Sequence, residues 1–122
     1  MMTTHLFKII FHDTRPCFEN QELGADGCSC EFGNPSGHSS ESVVMYFWIC
    51  YEFIYKQRFN HAKILSMIVF IACCLITGLG RIYYGVHFFD QIILGYLIGY
   101  FCLSVHFILK YFKVSEIIIN ID

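Results

Sequence analysis

A chain of 122 residues has room for one domain. It is 56% hydrophobic and 18% aromatic but only 15% charged, an apolar excess that argues against an ordinary soluble domain. The formal net charge of -2 supplies no field that would gather nucleic acid, and seven cysteines, an odd count set mostly in apolar runs, do not make a disulfide scaffold.

In chain order, residues 1–16 carry a short apolar patch, Leu6 to Phe11, interrupted by Lys8. Residues 17–34 form a polar loop punctuated by Gly24, Gly27 and Gly33. A bridge from Cys17 to Cys28 or Cys30 within it is not favoured. Three apolar segments follow, predicted as helices over roughly residues 36–55, 64–80 and 88–112. The segment Ile64 to Gly80 has 17 residues and no charge, and the stretch from Gln91 to Leu109 carries only His106 as a titratable group. A spanning helix needs about 20 mainly apolar residues. The chain therefore reads as an all-α, multi-pass transmembrane bundle forming one domain over residues 1–122.

Three crossings sort the charges. Lys56, Arg58 and Lys63 fall on one face with Lys110 and Lys113, and the positive-inside bias makes that face cytoplasmic. Lys8, Arg15, His38, Arg81 and His87 then share the opposite face. The expected location is a membrane, the endoplasmic reticulum or another endomembrane, with the polar groups on its lumenal side.

Three polar islands border the apolar segments: Lys8 to Pro16, Pro35-Ser36-Gly37-His38, and Arg81 to Gln91. Together they offer three fixed cations, two histidines and a small-residue helix start. Arginine grips phosphate oxygens in pairs and lysine acts as a point charge. A helix N-terminus adds backbone N–H groups aimed at an anion. One histidine can attack phosphorus and the other can protonate the leaving oxygen. A carboxylate such as Asp90 would orient the attacking ring. No metal and no cofactor are called for, because three cations already oppose the developing charge.

The islands follow the pattern Lys-x6-Arg-Pro, Pro-Ser-Gly-His and Arg-x5-His, and in this the chain resembles the type-2 phosphatidic acid phosphatase (PAP2) superfamily. That group includes lipid phosphate phosphatases, glucose-6-phosphatases and vanadium haloperoxidases. The resemblance covers residues 8 to about 109. It implies a membrane phosphatase acting on a lipid phosphate, with His87 as the nucleophile that becomes a phosphohistidine and His38 as general acid. It implies Lys8, Arg15 and Arg81 as phosphate clamps, Ser36 and Gly37 as hydrogen-bond donors, and Asp90 as partner of His87.

Three departures bear on those roles. Gly80 stands where the family has serine. The family's aspartate comes four residues after the nucleophile, where this chain has Gln91, so the partner of His87 is either Asp90 or Gln91. Glucose-6-phosphatases are similar at that point, which keeps a small sugar phosphate among the substrates. Family members also carry further helices before the first motif, so an N-terminally truncated copy is a second reading: an inactive protein that binds phosphorylated lipid. A homo-oligomer is compatible with either. The bland alternatives are that Lys8 and Arg15 snorkel to headgroups, that Asp90 complements a helix dipole, and that Glu19, Glu22, Asp26 and Glu31 are solvated surface.

Overall fold

A computed structural model describes residues 2–20, 30–56 and 60–112. Arg58, Lys113 and the loop acids Glu22 and Asp26 lie outside those residues. The described chain contains helices and no strand: α1 (Met2–Phe11), α2 (Pro16–Glu19), α3 (Gly37–Lys56), α4 (Asn60–Tyr83) and α5 (Phe89–Tyr111).

The short patch around Lys8 forms a helix of 10 residues, α1. It ends where His12 enters the left-handed region (φ 52) and its N–H bonds the Lys8 carbonyl at 3.2 Å. α4 begins four residues before the apolar run, because Asn60, His61, Ala62 and Lys63 continue the helical ladder past the charge. At its other end Gly85 (φ 62) reverses the chain, and Val86 N–H reaches back to the Arg81 carbonyl at 3.2 Å. That turn brings Arg81 and His87 to the same end of the molecule.

α3 packs against both α4 and α5. The core between them holds Val43, Cys50, Phe70, Cys74 and Leu103, with Tyr46, Phe47 and Tyr96 against it. The hydroxyls stay satisfied: Tyr96 Oη donates to Cys74 O at 2.5 Å, and Tyr46 Oη pairs with Thr77 Oγ1 at 3.3 Å. The α3–α5 contact depends on small residues. A Cβ on Gly95 would lie 2.5 Å from the Ser36 carbonyl, and one on Gly99 would lie 2.7 Å from the Ser40 carbonyl. Gly95 and Gly99, one turn apart, therefore let α5 meet the serine-rich start of α3 backbone to backbone, as small-xxx-small pairs do.

Three membrane-spanning helices are expected from the sequence, but by length and composition α4 and α5 alone qualify among the described residues. α3 falls short because Ser39, Ser40, Glu41, Ser42 and Glu52 dilute its apolar content. The qualifying helices do not behave as the buried core of a soluble protein: only 17% of the apolar window of α4 is buried, and Ile64, Leu65, Ile68, Leu75, Ile76 and Leu79 are all exposed. One cysteine expectation is corrected. Cys17, on α2, is disulfide-bonded, whereas Cys30 is a free thiol; Cys28 lies outside the described residues.

The close approach gives a direct test. Gly99→Leu should lower the thermal midpoint of the detergent-solubilised protein, since overpacking costs about 1–3 kcal/mol or more. Gly80→Ala, whose Cβ would meet nothing within 4 Å, should not lower it, since alanine is the better helix former.

Candidate phosphate site

The three islands meet at one end of the helices. A cavity of about 370 Å³ is lined by Lys8, Arg15, Gly37, His38, Arg81 and His87. Four further residues line it that the motif spacing does not reveal: Thr4, His5, Glu31 and Glu41. Each cation arrives on a different element: Lys8 on α1, Arg15 at the start of α2, Arg81 in the last turn of α4.

The cations are held, not loosely displayed. Lys8 is 8% exposed and Arg15 3%. Lys8 Nζ lies 2.6 Å from Glu31 Oε2. Arg15 Nε donates to the Glu31 carbonyl at 2.8 Å and Nη1 to the Val86 carbonyl at 3.4 Å. Burial weighs most against the Arg15 charge, the Glu31 carboxylate supports it, and Arg81 opposes it. Arg81 Nε is buried without a hydrogen-bond partner. An unpaired buried donor is costly, so a guanidinium left with one at this cavity is suited to an anion.

Ser36 has a different task from the one expected. It is fully buried; its Oγ accepts from Ser39 N–H at 3.4 Å and from Ser39 Oγ at 3.0 Å, and its carbonyl accepts from Ser40 N–H at 3.2 Å. It therefore occupies the N-cap of α3. The cap orients the first turn, whose leading N–H groups have no intrahelical acceptor. Gly37 and His38 stand there, and no atom crowds the Gly37 position.

Of Asp90 and Gln91, it is Gln91 that meets the His87 ring. Asp90 is exposed in the first turn of α5, where its charge complements the helix dipole. Gln91, one residue on, is 2% exposed, and its Oε1 lies 3.2 Å from His87 Nδ1. Two backbone contacts fix which amide atom is which. Oε1 accepts from Phe88 N–H at 3.2 Å, and Nε2 donates to the Thr14 carbonyl at 2.8 Å. A flipped amide would set donor against donor and acceptor against acceptor. The tautomer that satisfies this contact carries its proton on His87 Nδ1 and donates to Oε1, and in it Nε2 keeps its lone pair. Gly33 makes the contact feasible, because a Cβ there would lie 2.7 Å from both Gln91 Oε1 and the Thr14 carbonyl.

The imidazole is also kept neutral. Burial above all, then the Arg15 charge, lowers the His87 pKa to about 4; the Gln91 bond raises it, Arg81 lowers it again, and a hydrogen bond to the Gly33 backbone raises it. At neutral pH the site thus presents an uncharged ring nitrogen among three cations.

Gln91→Glu tests this arrangement. A carboxylate favours the imidazolium, so the His87 pKa should rise by about 1–3. Imidazole proton resonances followed from pH 3 to 8 would report it. An unmoved titration would mean that Gln91 does not govern this ring.

The PAP2 superfamily model matches residues 1–114 of the chain. Phosphatidylglycerophosphatase B of Bacillus subtilis (strain 168) is 33% identical over 70 residues, 56% of this chain and 34% of that relative. The chain thus spans about a third of the relative's length. No solved structure matches it significantly. The match over nearly the whole length means that this chain belongs to the PAP2 superfamily.

Proposed function

We propose that the chain is an integral membrane phosphatase that hydrolyses the phosphomonoester or pyrophosphate of a lipid phosphate through a phosphohistidine on His87, without a metal. The observation that carries this reading is the His87 ring, held neutral by burial and met by Gln91 at Nδ1, at a cavity walled by Lys8, Arg15 and Arg81. The cations and the N-terminus of α3 receive the phosphoryl oxygens. His87 Nε2 attacks phosphorus, and the P–O bond to the leaving group breaks. His38 in its protonated form donates a proton to the departing alkoxide; burial and the Arg81 charge work against that form, and the bound phosphate anion works for it. His38, now neutral, takes a proton from water as that water attacks the phosphohistidine. The P–N bond breaks, free phosphate leaves, and both histidines return to their starting states. Gln91 holds the ring of His87 in the attacking tautomer. Asp90, for which a catalytic role is expected from the family pattern, takes no step here.

A lipid substrate is supported by the relative's name, which is that of a phosphatidylglycerophosphatase, and by the apolar flank of α4 and α5 that adjoins the site. The charges favour one orientation. Lys63 and Lys110 lie at the ends of α4 and α5 remote from Arg81 and His87, so positive-inside bias turns the site away from the cytoplasm. The disulfide at Cys17, beside Arg15, independently favours an oxidising compartment on that side.

The test is phosphate release from a panel of lipid and sugar phosphates by the purified protein in excess chelator. Activity should survive chelation and prefer lipid phosphates, and His87→Ala should lose at least about 10³-fold. Activity abolished by chelator, or retained in His87→Ala, would refute the mechanism. A preference for glucose 6-phosphate would replace the lipid with a sugar phosphate.

A further inference from the structure

Glu41 lines the cavity and has no part in the chemistry above. It lies three residues after His38 on α3, so the two side chains leave the helix on one face. Packing fixes where that face points. Ser39 and Ser40, which stand between them, are buried against the glycines of α5: a Cβ on Gly95 would lie 3.0 Å from Ser39 Cβ, and one on Gly99 would lie 2.7 Å from the Ser40 carbonyl. With the serines turned into that contact, His38 and Glu41 both face the cavity.

His38 is otherwise surrounded by charge of the wrong sign. Burial weighs most against an imidazolium there, then Arg81 on α4; Glu41 supports it, and Lys8 on α1 and Arg15 at the start of α2 oppose it. The other carboxylate of the cavity, Glu31, is held by Lys8 at 2.6 Å. The remaining titratable groups of the lining are His5 on α1 and the neutral His87. Glu41 is left as the negative group on the face of His38.

We propose that Glu41 is a positioning residue for the proton transfer: its carboxylate is the counter-charge of the His38 imidazolium that protonates the leaving alkoxide. The inference rests on the general-acid reading of His38 given above. The proton passes from His38 to the alkoxide oxygen as the P–O bond breaks, and Glu41 touches no reacting atom. It acts on the fraction of the protein whose His38 carries the proton before attack.

The test is the pH profile of kcat/KM, which covers the steps through departure of the leaving group, measured on the full chain from pH 5 to 10. One substrate is an alkyl phosphate (a short-chain phosphatidic acid or glucose 6-phosphate, whichever the wild type turns over). The other is 4-nitrophenyl phosphate, whose leaving group departs without a proton. Glu41→Gln should move the alkaline limb of the alkyl-phosphate profile to lower pH. It should also lower the alkyl-to-nitrophenyl ratio of kcat/KM about tenfold at pH 8; the ratio removes any effect of the lost charge on anion binding, which both substrates share. Glu41→Asp, which keeps the charge, should restore most of that ratio, and Glu41→Ala reads the same loss of charge if Glu41→Gln does not fold. Equal losses on both substrates, or an unmoved alkaline limb, would overturn the inference and leave the phosphatase reading standing, since Glu41 would then serve only the fold or the helix dipole. If His38→Ala keeps the alkaline limb, the general-acid reading fails and the inference falls with it. Phosphate release from neither substrate by the wild type would sink the phosphatase reading itself.

Discussion

The buried amide of Gln91 is where the three islands become one site. Its three polar contacts reach the segment before Arg15 through the Thr14 carbonyl, the start of α5 through Phe88 N–H, and the ring of His87, while the backbone carbonyl of the same residue accepts from Ser36 N–H at 3.0 Å. Each buried group would be costly if orphaned, so the amide fixes the relative placement of segments up to 77 residues apart. A carboxylate could not do the same, because it has no N–H for the Thr14 carbonyl.

That junction is held in place by backbone packing. Gly33 gives the amide room, and Gly95 and Gly99 bring α5 against the serine turn of α3. Around the same turn Asp13 accepts from Asn34 Nδ2 at 2.6 Å and from Gly33 N–H at 2.8 Å. The loop between the first two islands is thereby tied to the chain entering α2. Small residues and short polar links fix the upper end of the helices, while the long aliphatic side chains of α4 stay on the outside. This is the inverse of a soluble bundle and fits a chain whose solvent is partly lipid.

Much of the site was legible in the sequence because its chemistry is written in local strings. Lys8, Arg15, His38, Arg81 and His87 stand out in three polar strings and in the family pattern that those strings resemble, and all five line one cavity. The long helices were legible from uncharged runs. What stayed hidden depends on contacts between distant residues. Glu31 reads as one more acid in a polar loop, yet it meets Lys8 across 23 positions. Thr4 and His5 enter the cavity only because α1 is a helix, and an interrupted patch of six residues gave little sign of one. Ser36 matched its motif, but its hydroxyl turned inward because α3 starts at Gly37 and needs a cap. Glu41 gave a usable signal: it lies one turn after His38 and so shares its helix face.

A neutral group beside His87 also has an electrostatic consequence. With a carboxylate there, the pair would carry one negative charge before attack, and part of the attraction of Lys8, Arg15 and Arg81 would be spent on it. With an amide, that attraction is reserved for the anion that enters. In the proposed attack the imidazole gains positive character as it bonds phosphorus, and with Gln91 beside it the negative phosphoryl oxygens offset that charge themselves. The arrangement therefore favours tight binding of a dianion and tautomeric order over stabilisation of the imidazolium. It follows that the charge balance of this site is set at the cations, where Glu31 meets Lys8, and not at the neutral group beside His87.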